Sequence, residues 1–165
     1  MENKPVLHLV CGKIASGKST LAQKLAAQPG TILFSEDQWL SGLYPEEMKS
    51  VQDYVKYSAR LRPLIGQHIQ SLLQQGLSVV MDFPANTLEF RLWMRGIFEN
   101  TGIAHELHFL DVPDTLCKDR LHRRNKDGHH AFAPSEADFD LISSYFVPPT
   151  PKEGFNIIVH TQETS

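Results

Sequence analysis

Short apolar runs alternate with stretches of helical spacing from one end of the 165-residue chain to the other. Runs rich in Val, Ile, Leu and Phe predict five strands, at Val6–Cys11, Ile32–Ser35, Leu77–Met81, Ala104–Leu110 and Phe155–Val159. Apolar residues three and four apart predict helices at Thr20–Ala27, 48–75, 88–100, 113–124 and from Ser135 to a point before Pro148. Within the second of these helices, Pro63 predicts a kink or the start of a new helix.

This alternation predicts an α/β fold with a parallel sheet covered by helices on both faces. The third run, Leu77–Met81, is apolar on both faces, as expected of a central parallel strand. We see no internal repeat and no domain boundary, so we expect one domain over residues 1–165. Ligands of such sheets bind at the carboxyl ends of the strands, so the residues that follow each strand are the candidates for function.

The first strand is followed by a complete G-x-x-x-x-G-K-[ST] phosphate-binding motif, in the strand–loop–helix context that this motif requires. Two glycines let the backbone wrap closely around an anion, and the helix that follows adds its positive end. Lys18 can reach the β- and γ-phosphates of a nucleotide, and Ser19 offers a hydroxyl to Mg²⁺. The predicted binding residues are Gly12, Lys13, Ile14, Ala15, Ser16, Gly17, Lys18, Ser19 and Thr20.

Composition narrows the class of protein. Apolar residues make up 41% and charged residues 21% of the chain, as in ordinary globular proteins. The net charge of −3 and the lack of a long basic run give no general reason to expect nucleic-acid binding. Two cysteines fit a reduced protein, with Cys11 as a buried core residue, and no run is long enough to span a membrane. Because we find no signal-peptide pattern at the first residues, we expect a cytoplasmic location.

Carboxylates follow the second strand. Glu36 or Asp37 would face the γ-phosphate side of the site, where a carboxylate could accept the proton of an attacking hydroxyl. The alternative is helix capping, with Ser35 or Asp37 as the N-cap and Glu36 near the helix dipole. The two interpretations are compatible.

Asp82 ends the third strand, where an acid commonly holds Mg²⁺ through a water molecule, and the alternative is a solvated turn residue. For Asn86 and Thr87 we favour helix capping over contact with a substrate. Arg91 and Arg95 share one helix face, and a solvated face is the favoured interpretation for both.

Three arginines end the helix that begins near residue 113. Arg120 and Arg124 share a face, and Arg123 points about a quarter-turn away. Guanidinium groups that enter a loop are suited to closing over a triphosphate and stabilising charge in the transition state. The alternative is that they only face the negative end of the helix dipole.

Two further patterns, in the predicted loop 125–134, are weak evidence for function. His129 and His130 lack a metal-ligand pattern around them, so we do not expect a structural metal there. The run 125–127 is similar to the guanine-reading N-K-x-D motif, but its Asp comes one residue too early, which argues against a GTPase.

The chain resembles the small P-loop kinases grouped with polynucleotide 5′-kinase, chloramphenicol phosphotransferase and zeta-toxin kinases, which are often described only as AAA-type ATP-binding proteins. The resemblance extends from Val6 to about Val159 and is most specific at Gly12–Thr20, 35–37 and 120–125. It implies a P-loop NTPase three-layer sandwich with strand order 2-3-1-4-5, a short helical lid over about 120–140, and ATP–Mg²⁺ as the donor. It also implies that Asp37 is the general base and that Arg120 and Arg124 bind ATP from the lid.

The chain departs from the polynucleotide kinases in ways that bear on the acceptor. Those enzymes carry an Arg three residues after the base, where this chain has Leu40, and a further lid Arg is also missing. We therefore expect a kinase that phosphorylates a hydroxyl of a small molecule, with Lys18, Asp37, Arg120 and Arg124 as catalytic residues. A nucleic-acid 5′-hydroxyl kinase remains the second hypothesis.

A nucleotide-binding switch that acts through a protein partner is the third hypothesis. The aromatic-rich region that includes Trp39, Leu43, Tyr44, Tyr54 and Tyr57 could be a substrate lid or a partner surface, although packing is the favoured interpretation. The sequence does not determine the oligomeric state.

Overall fold

The computed structural model describes residues 4–127 and 134–161. Its strands are β1 (Val6–Cys11), β2 (Thr31–Ser35), β3 (Ser78–Asp82), β4 (Ala104–Asp111) and β5 (Ile157–Thr161). Within the described ranges the helices are α1 (Lys18–Ala26), α2 (Glu36–Leu43), α3 (Val51–Gln74), α4 (Leu88–Phe98), α5 (Asp114–Asp127) and α6 (Glu136–Ser144), with a 3-10 turn at Pro151–Glu153.

The five strands form one parallel sheet in the order β2-β3-β1-β4-β5, which confirms the expected α/β class and strand order. The connection from β1 to β2 runs across the sheet in the opposite direction to those that follow. Because such crossovers are right-handed, α1 lies on one face of the sheet and α3 and α4 lie on the other. Alternate residues of β1, such as Leu7 and Leu9, point into the core beneath α3 and α4.

Helix α3 continues through Pro63 as one helix of 24 residues, so the structure shows no new helix at that position. Pro63 is exposed, and the opposite face of α3 carries buried residues every four positions: Leu61, Ile65, Ile69 and Leu73. Packing of this stripe against the sheet holds the helix together where the proline removes one backbone hydrogen bond.

Other elements differ from the sequence prediction at their boundaries. Helix α2 forms directly after β2, where we had predicted only a cap, and α5 runs on to Asp127. Strand β5 begins at Ile157, while Phe155 is buried just before it. Helix α6 begins with a capping box, because the Ser135 side chain accepts from the Asp138 N–H and the Asp138 carboxylate accepts from the Ser135 N–H.

The expected lid corresponds to the end of α5 and to α6, and residues 128–133 between them lie outside the described residues. Asn125 Nδ2 donates to the carbonyl oxygen of Pro134 at 2.7 Å, which joins the two sides of that gap. Phe139 of α6 is fully buried against Leu121 of α5. Among the described helices, none has the length and apolar character needed to cross a membrane.

Candidate active site

The phosphate-binding motif forms a tight loop between β1 and α1. Gly17 has a φ of 105° and Ala15 a φ of 62°, and the Ser16 N–H donates to the Lys13 carbonyl at 3.1 Å. A Cβ at Gly12 would lie 2.5 Å from Ser16 Oγ and 3.2 Å from the Leu110 carbonyl oxygen, so a larger residue would have to displace the Ser16 side chain. No described side chain caps the start of α1, so its first N–H groups face the loop interior and suit an anion.

Asn86 anchors the first residue of this loop. Its Oδ1 accepts from the Gly12 N–H at 2.9 Å, and its Nδ2 donates to the Gly12 carbonyl at 2.8 Å. Of the two residues expected to cap α4, only Thr87 does so. Its hydroxyl accepts from the Phe90 N–H at 3.1 Å. Our capping interpretation of Asn86 was therefore wrong. The sequence signal for this contact is the position of Asn86 after β3. Strand β3 lies beside β1, and the phosphate loop follows β1.

Lys18 and Ser19, the last two motif residues, lie at the start of α1 and have polar partners. The Lys18 ammonium donates to the carbonyl oxygens of Gly12 and Lys13 at 2.7 and 3.0 Å. Burial lowers the pKa of Lys18, against the attraction of Asp82 and other anionic groups around it.

Ser19 and Asp82, the two residues predicted to bind Mg²⁺, lie in direct contact. The Ser19 hydroxyl donates to Asp82 Oδ2 at 2.8 Å. Burial raises the pKa of Asp82, and the Ser19 hydrogen bond and the Lys18 charge oppose this shift. A hydroxyl and a carboxylate are oxygen ligands of the type that Mg²⁺ prefers.

Two arginines of α5 lie near the site, Arg120 at the phosphate loop and Arg124 near Asp37. Arg120 Nη1 donates to the Ser16 carbonyl at 3.2 Å, which places its guanidinium over the phosphate loop. Arg124 is half-buried, and its Nε has no hydrogen-bond partner among the described residues. Burial lowers the pKa of Arg124, while the Asp37 carboxylate attracts its charge. Arg123 is exposed on another face of the helix, as its spacing predicts.

The two neighbouring carboxylates after β2 have different environments. Glu36 is 2% exposed and accepts hydrogen bonds from the Tyr54 hydroxyl and, at 2.7 Å, from the Ser58 hydroxyl. Burial raises the pKa of Glu36 to about 7. Asp37 is exposed, and its charge acts on Lys18, Asp82 and Arg124. Of the two, only Asp37 presents its carboxylate to the side of the phosphate loop.

Ser35 caps α2, since its hydroxyl accepts from the Gln38 N–H at 3.4 Å. Capping and the placement of Asp37 therefore coexist, as we expected. In the aromatic-rich region, Tyr44 and Tyr57 stack with ring centroids 4.0 Å apart and pack on the core, which supports packing as their role. Trp39 remains 41% exposed on α2.

The favoured interpretation of Arg91 as a solvated residue was wrong. Arg91 is 0% exposed, donates to Glu153 Oε1 at 2.7 Å and donates to the Ala85 carbonyl at 2.9 Å. A buried guanidinium needs such a partner, and Glu153 lies too far along the sequence to be assigned to it from helical spacing. Arg95 Nη1 also donates to the main-chain carbonyl oxygen of Glu153.

Both cysteines are buried free thiols, in agreement with the core interpretation of Cys11. The pattern at His129 and His130 lies outside the described residues.

The residues present fit a nucleoside triphosphate with Mg²⁺. The start of α1 has no side-chain cap among the described residues, and Lys18 and Arg120 supply positive charge around the loop. Ser19 and Asp82 supply the oxygen ligands, and the buried Nε of Arg124, which has no partner in the described ranges, is a donor suited to an anion.

Comparison with known proteins identifies the family. The family model AAA_33, described as an AAA domain, matches residues 7–149. Comparison with curated protein sequences gives no significant match.

Several solved structures have the same fold. A Chloroflexus aurantiacus J-10-fl protein, provisionally named a kinase, has a TM-score of 0.74 and 22% identity, over 98% of this chain and 87% of that protein. The Mycobacterium tuberculosis APS kinase CysC, solved with AMPPNP and APS, has a TM-score of 0.61 and 21% identity, over 98% and 91%. A chain of the Pnkp1/Rnl/Hen1 RNA repair complex has a TM-score of 0.66 and 20% identity, over 88% of this chain and 45% of that one. At these identities the likeness shows a P-loop kinase-like fold.

Proposed function

The chain belongs to the AAA domain family, and from this premise we propose that it is an ATP-dependent kinase that phosphorylates a hydroxyl group of a small molecule. One observation carries the proposal. A complete phosphate loop, a Ser19–Asp82 pair bonded at 2.8 Å and an exposed acid at Asp37 share the carboxyl edge of one parallel sheet. A nucleotide-binding module needs the loop, whereas a phosphotransferase also needs a group that deprotonates the acceptor.

On the donor side, the loop residues from Gly12 to Thr20 hold the phosphates through main-chain N–H groups. Lys18 and Arg120 balance the negative charge of the triphosphate, and Ser19 with Asp82 holds Mg²⁺. When bound, ATP–Mg²⁺ supplies the phosphoryl group together with a divalent charge on its oxygens. Fixed charges in a partly dry site stabilise charge that develops during transfer, because they need no reorganisation at that moment.

On the acceptor side, Asp37 orients the acceptor hydroxyl and takes its proton while the hydroxyl oxygen bonds to the γ-phosphorus. The bond from that phosphorus to the bridging oxygen of ADP breaks in the same transfer. Arg124 lies within electrostatic reach of Asp37, so a positive charge stands beside the acid that faces the acceptor. Glu36 does not share this role, because its carboxylate is buried and bonded to Tyr54 and Ser58.

The side chain three residues after Asp37 favours a small-molecule acceptor over a nucleic acid. Leu40 is 1% exposed, so this position offers no charge to a phosphate backbone. Nucleic-acid affinity depends mainly on lysines and arginines that contact phosphates, and the chain carries a net charge of −3.

The test is transfer of a γ-labelled phosphoryl group from ATP–Mg²⁺ into a panel of acceptors. The panel holds hydroxylated antibiotics, sugars, nucleosides, adenylyl sulfate and 5′-hydroxyl oligonucleotides. We expect label in one class of small molecule. Label in the oligonucleotide, with an affinity that falls steeply with salt, would transfer the proposal to a nucleic-acid kinase. Label released only as inorganic phosphate, at a rate that a protein partner raises, would overturn it in favour of a switch.

A further inference from the structure

A cluster of metal-ligating side chains lies on the face of the sheet opposite α3 and α4, away from the phosphate loop. His8 belongs to β1, and Glu106 and His108 belong to β4. His8 alternates with Leu7 and Leu9, which point into the core beneath α3 and α4, so it points to the α1 face. His8 is paired in register with Glu106, and His108 lies two residues farther along β4. The parallel register therefore places three potential ligands side by side.

The three ligand atoms form a nearly equilateral triangle. His8 Nδ1 lies 3.2 Å from His108 Nε2, and Glu106 Oε2 lies 3.4 Å from the former and 3.2 Å from the latter. Four ligands at bond lengths of about 2.0–2.1 Å around a tetrahedral Zn²⁺ stand about 3.3 Å apart. The observed edges match that spacing, so one ion could bind all three atoms without a change of strand register.

A cation suits this arrangement in the tautomer that leaves both facing ring nitrogens unprotonated. With the proton of His8 on Nε2 and that of His108 on Nδ1, three lone pairs converge on one region. Buried lone pairs that face each other without a donor are unfavourable. A divalent cation would satisfy all of them together.

His160 of β5 supplies an outer partner. Its Nε2 lies 2.9 Å from His108 Nδ1, the ring nitrogen on the side away from the cluster. A His108 that donates from Nδ1 to His160 keeps Nε2 unprotonated and aimed at Glu106 and His8. Metal-binding histidines commonly have such a second hydrogen bond, which fixes the tautomer and the ring orientation.

The access route also suits a metal. Both histidine side chains are nearly buried, while that of Glu106 is 33% exposed, which leaves an entry path. One carboxylate gives the site a negative charge that a divalent cation would balance.

We propose that His8, Glu106 and His108 bind one divalent transition-metal ion of the zinc class, with an open fourth position for water beside Glu106. Imidazole and carboxylate donors select zinc and its neighbours, whereas the oxygen pair at Ser19 and Asp82 suits Mg²⁺. The ion joins the two central strands β1 and β4, so its binding stabilises the folded chain. His160 is a positioning residue for this site. The inference does not depend on the proposed kinase activity.

The experiment is a titration of tag-free protein with Zn²⁺ in excess Mg²⁺, read by competition with a chromophoric chelator and by the unfolding temperature. Excess Mg²⁺ occupies oxygen sites, and the absence of a histidine tag removes an artificial ligand. We expect one equivalent of Zn²⁺ to bind and the unfolding temperature to rise with it. In place of Zn²⁺, Co²⁺ should give the visible absorption of a four-coordinate ion.

Variants test the assignment of ligands. Glu106→Gln keeps the shape of a partly exposed side chain and removes its charge, and we expect Zn²⁺ affinity to fall by at least about tenfold. His108→Gln should abolish the cobalt absorption, and His160→Asn should weaken binding by about tenfold with the stoichiometry unchanged. His68→Gln, on exposed α3, and a His129→Gln, His130→Gln double variant are controls that should bind like wild type.

Other results would overturn the proposed metal site. No saturable binding in the wild-type protein would overturn the proposal, and so would equal affinity in wild type and Glu106→Gln. Loss of binding in the His129→Gln, His130→Gln double variant would place the metal elsewhere. If His108→Gln does not fold, Glu106→Gln alone decides.

Discussion

The donor side and the acceptor side of the candidate site are built in different ways. From Gly12 to Ser19 the geometry is set by main-chain conformation within one short motif, closed by the Asn86 side chain. The acceptor side depends on side chains far apart in sequence, because Glu36 is held by Tyr54 and Ser58 from α3. Phosphate chemistry therefore follows from a local pattern, whereas the environment of the acceptor follows from packing.

The largest expected effect is on the donor side. Lys18→Ala should lower the rate of phosphoryl transfer by about 10³-fold, because it removes a fixed positive charge from the phosphate site. Steady-state transfer of label measures this loss. Lys24→Ala, at the exposed end of α1, is the matched control and should behave like wild type. Transfer within tenfold of the wild-type rate in Lys18→Ala would contradict our assignment of this residue.

The second prediction concerns the buried acid of the acceptor side. The pKa of Glu36 is about 7 in the folded protein, against an ordinary value of 4.5. Between these two values the folded chain keeps a proton that the unfolded chain has lost, so the free energy of unfolding falls as pH rises. Glu36→Gln removes this dependence, and the difference between variant and wild type should change by roughly 3 kcal/mol across that window.

Urea denaturation at about pH 5 and about pH 7.5 measures this difference. Comparison of Glu36→Gln with wild type isolates the effect of Glu36. The buried histidines His8 and His108 and the half-buried His105 have lowered pKa values and contribute the opposite slope in both proteins. Glu46→Gln changes an exposed acid and should follow the wild-type profile. Parallel profiles for Glu36→Gln and wild type would show that Glu36 is ionised in the folded protein.

The smallest expected effect is at the anchor that joins β3 to the loop. Asn86→Ala removes both hydrogen bonds to Gly12, so it should lower ATP affinity about tenfold and the free energy of unfolding by about 1–3 kcal/mol. Calorimetric titration with ATP–Mg²⁺ and urea denaturation measure the two changes. Asn100→Ala, in the exposed turn after α4, is the control. Unchanged nucleotide affinity would mean that the loop keeps its shape without Asn86.

The fold could be predicted from the sequence because its elements have strong local signals. The five strand runs and the phosphate motif follow from patterns of a few residues each, and the strand order came from the family resemblance. Only the start of helix α2 was predicted, through its cap Ser35, because its eight residues follow β2 without a turn. For Pro63 the sequence left a kink and a new helix open, because the packing of Leu61 and Ile65 that keeps α3 continuous is a tertiary effect.

The candidate site was predictable where partners share a motif or a strand end. The Ser19–Asp82 pair follows from the rule that parallel strands end at one edge. The Arg91–Glu153 pair joins residues 62 positions apart, and the Asn86–Gly12 bonds join residues 74 positions apart. The histidine cluster of β1 and β4 is equally remote. Contacts between residues so far apart in the sequence can be predicted only when the strand register is known as well as the residue types.

The central claim is that Asp37 acts in transfer and not in nucleotide binding. The most direct test measures ATP–Mg²⁺ affinity and single-turnover transfer in Asp37→Asn beside Glu46→Gln, an exposed acid changed in the same way. We expect unchanged ATP affinity and transfer slowed by about 10²-fold in Asp37→Asn, with both quantities unchanged in Glu46→Gln. Wild-type transfer in Asp37→Asn, or a loss of ATP affinity equal to the loss of transfer, would contradict it.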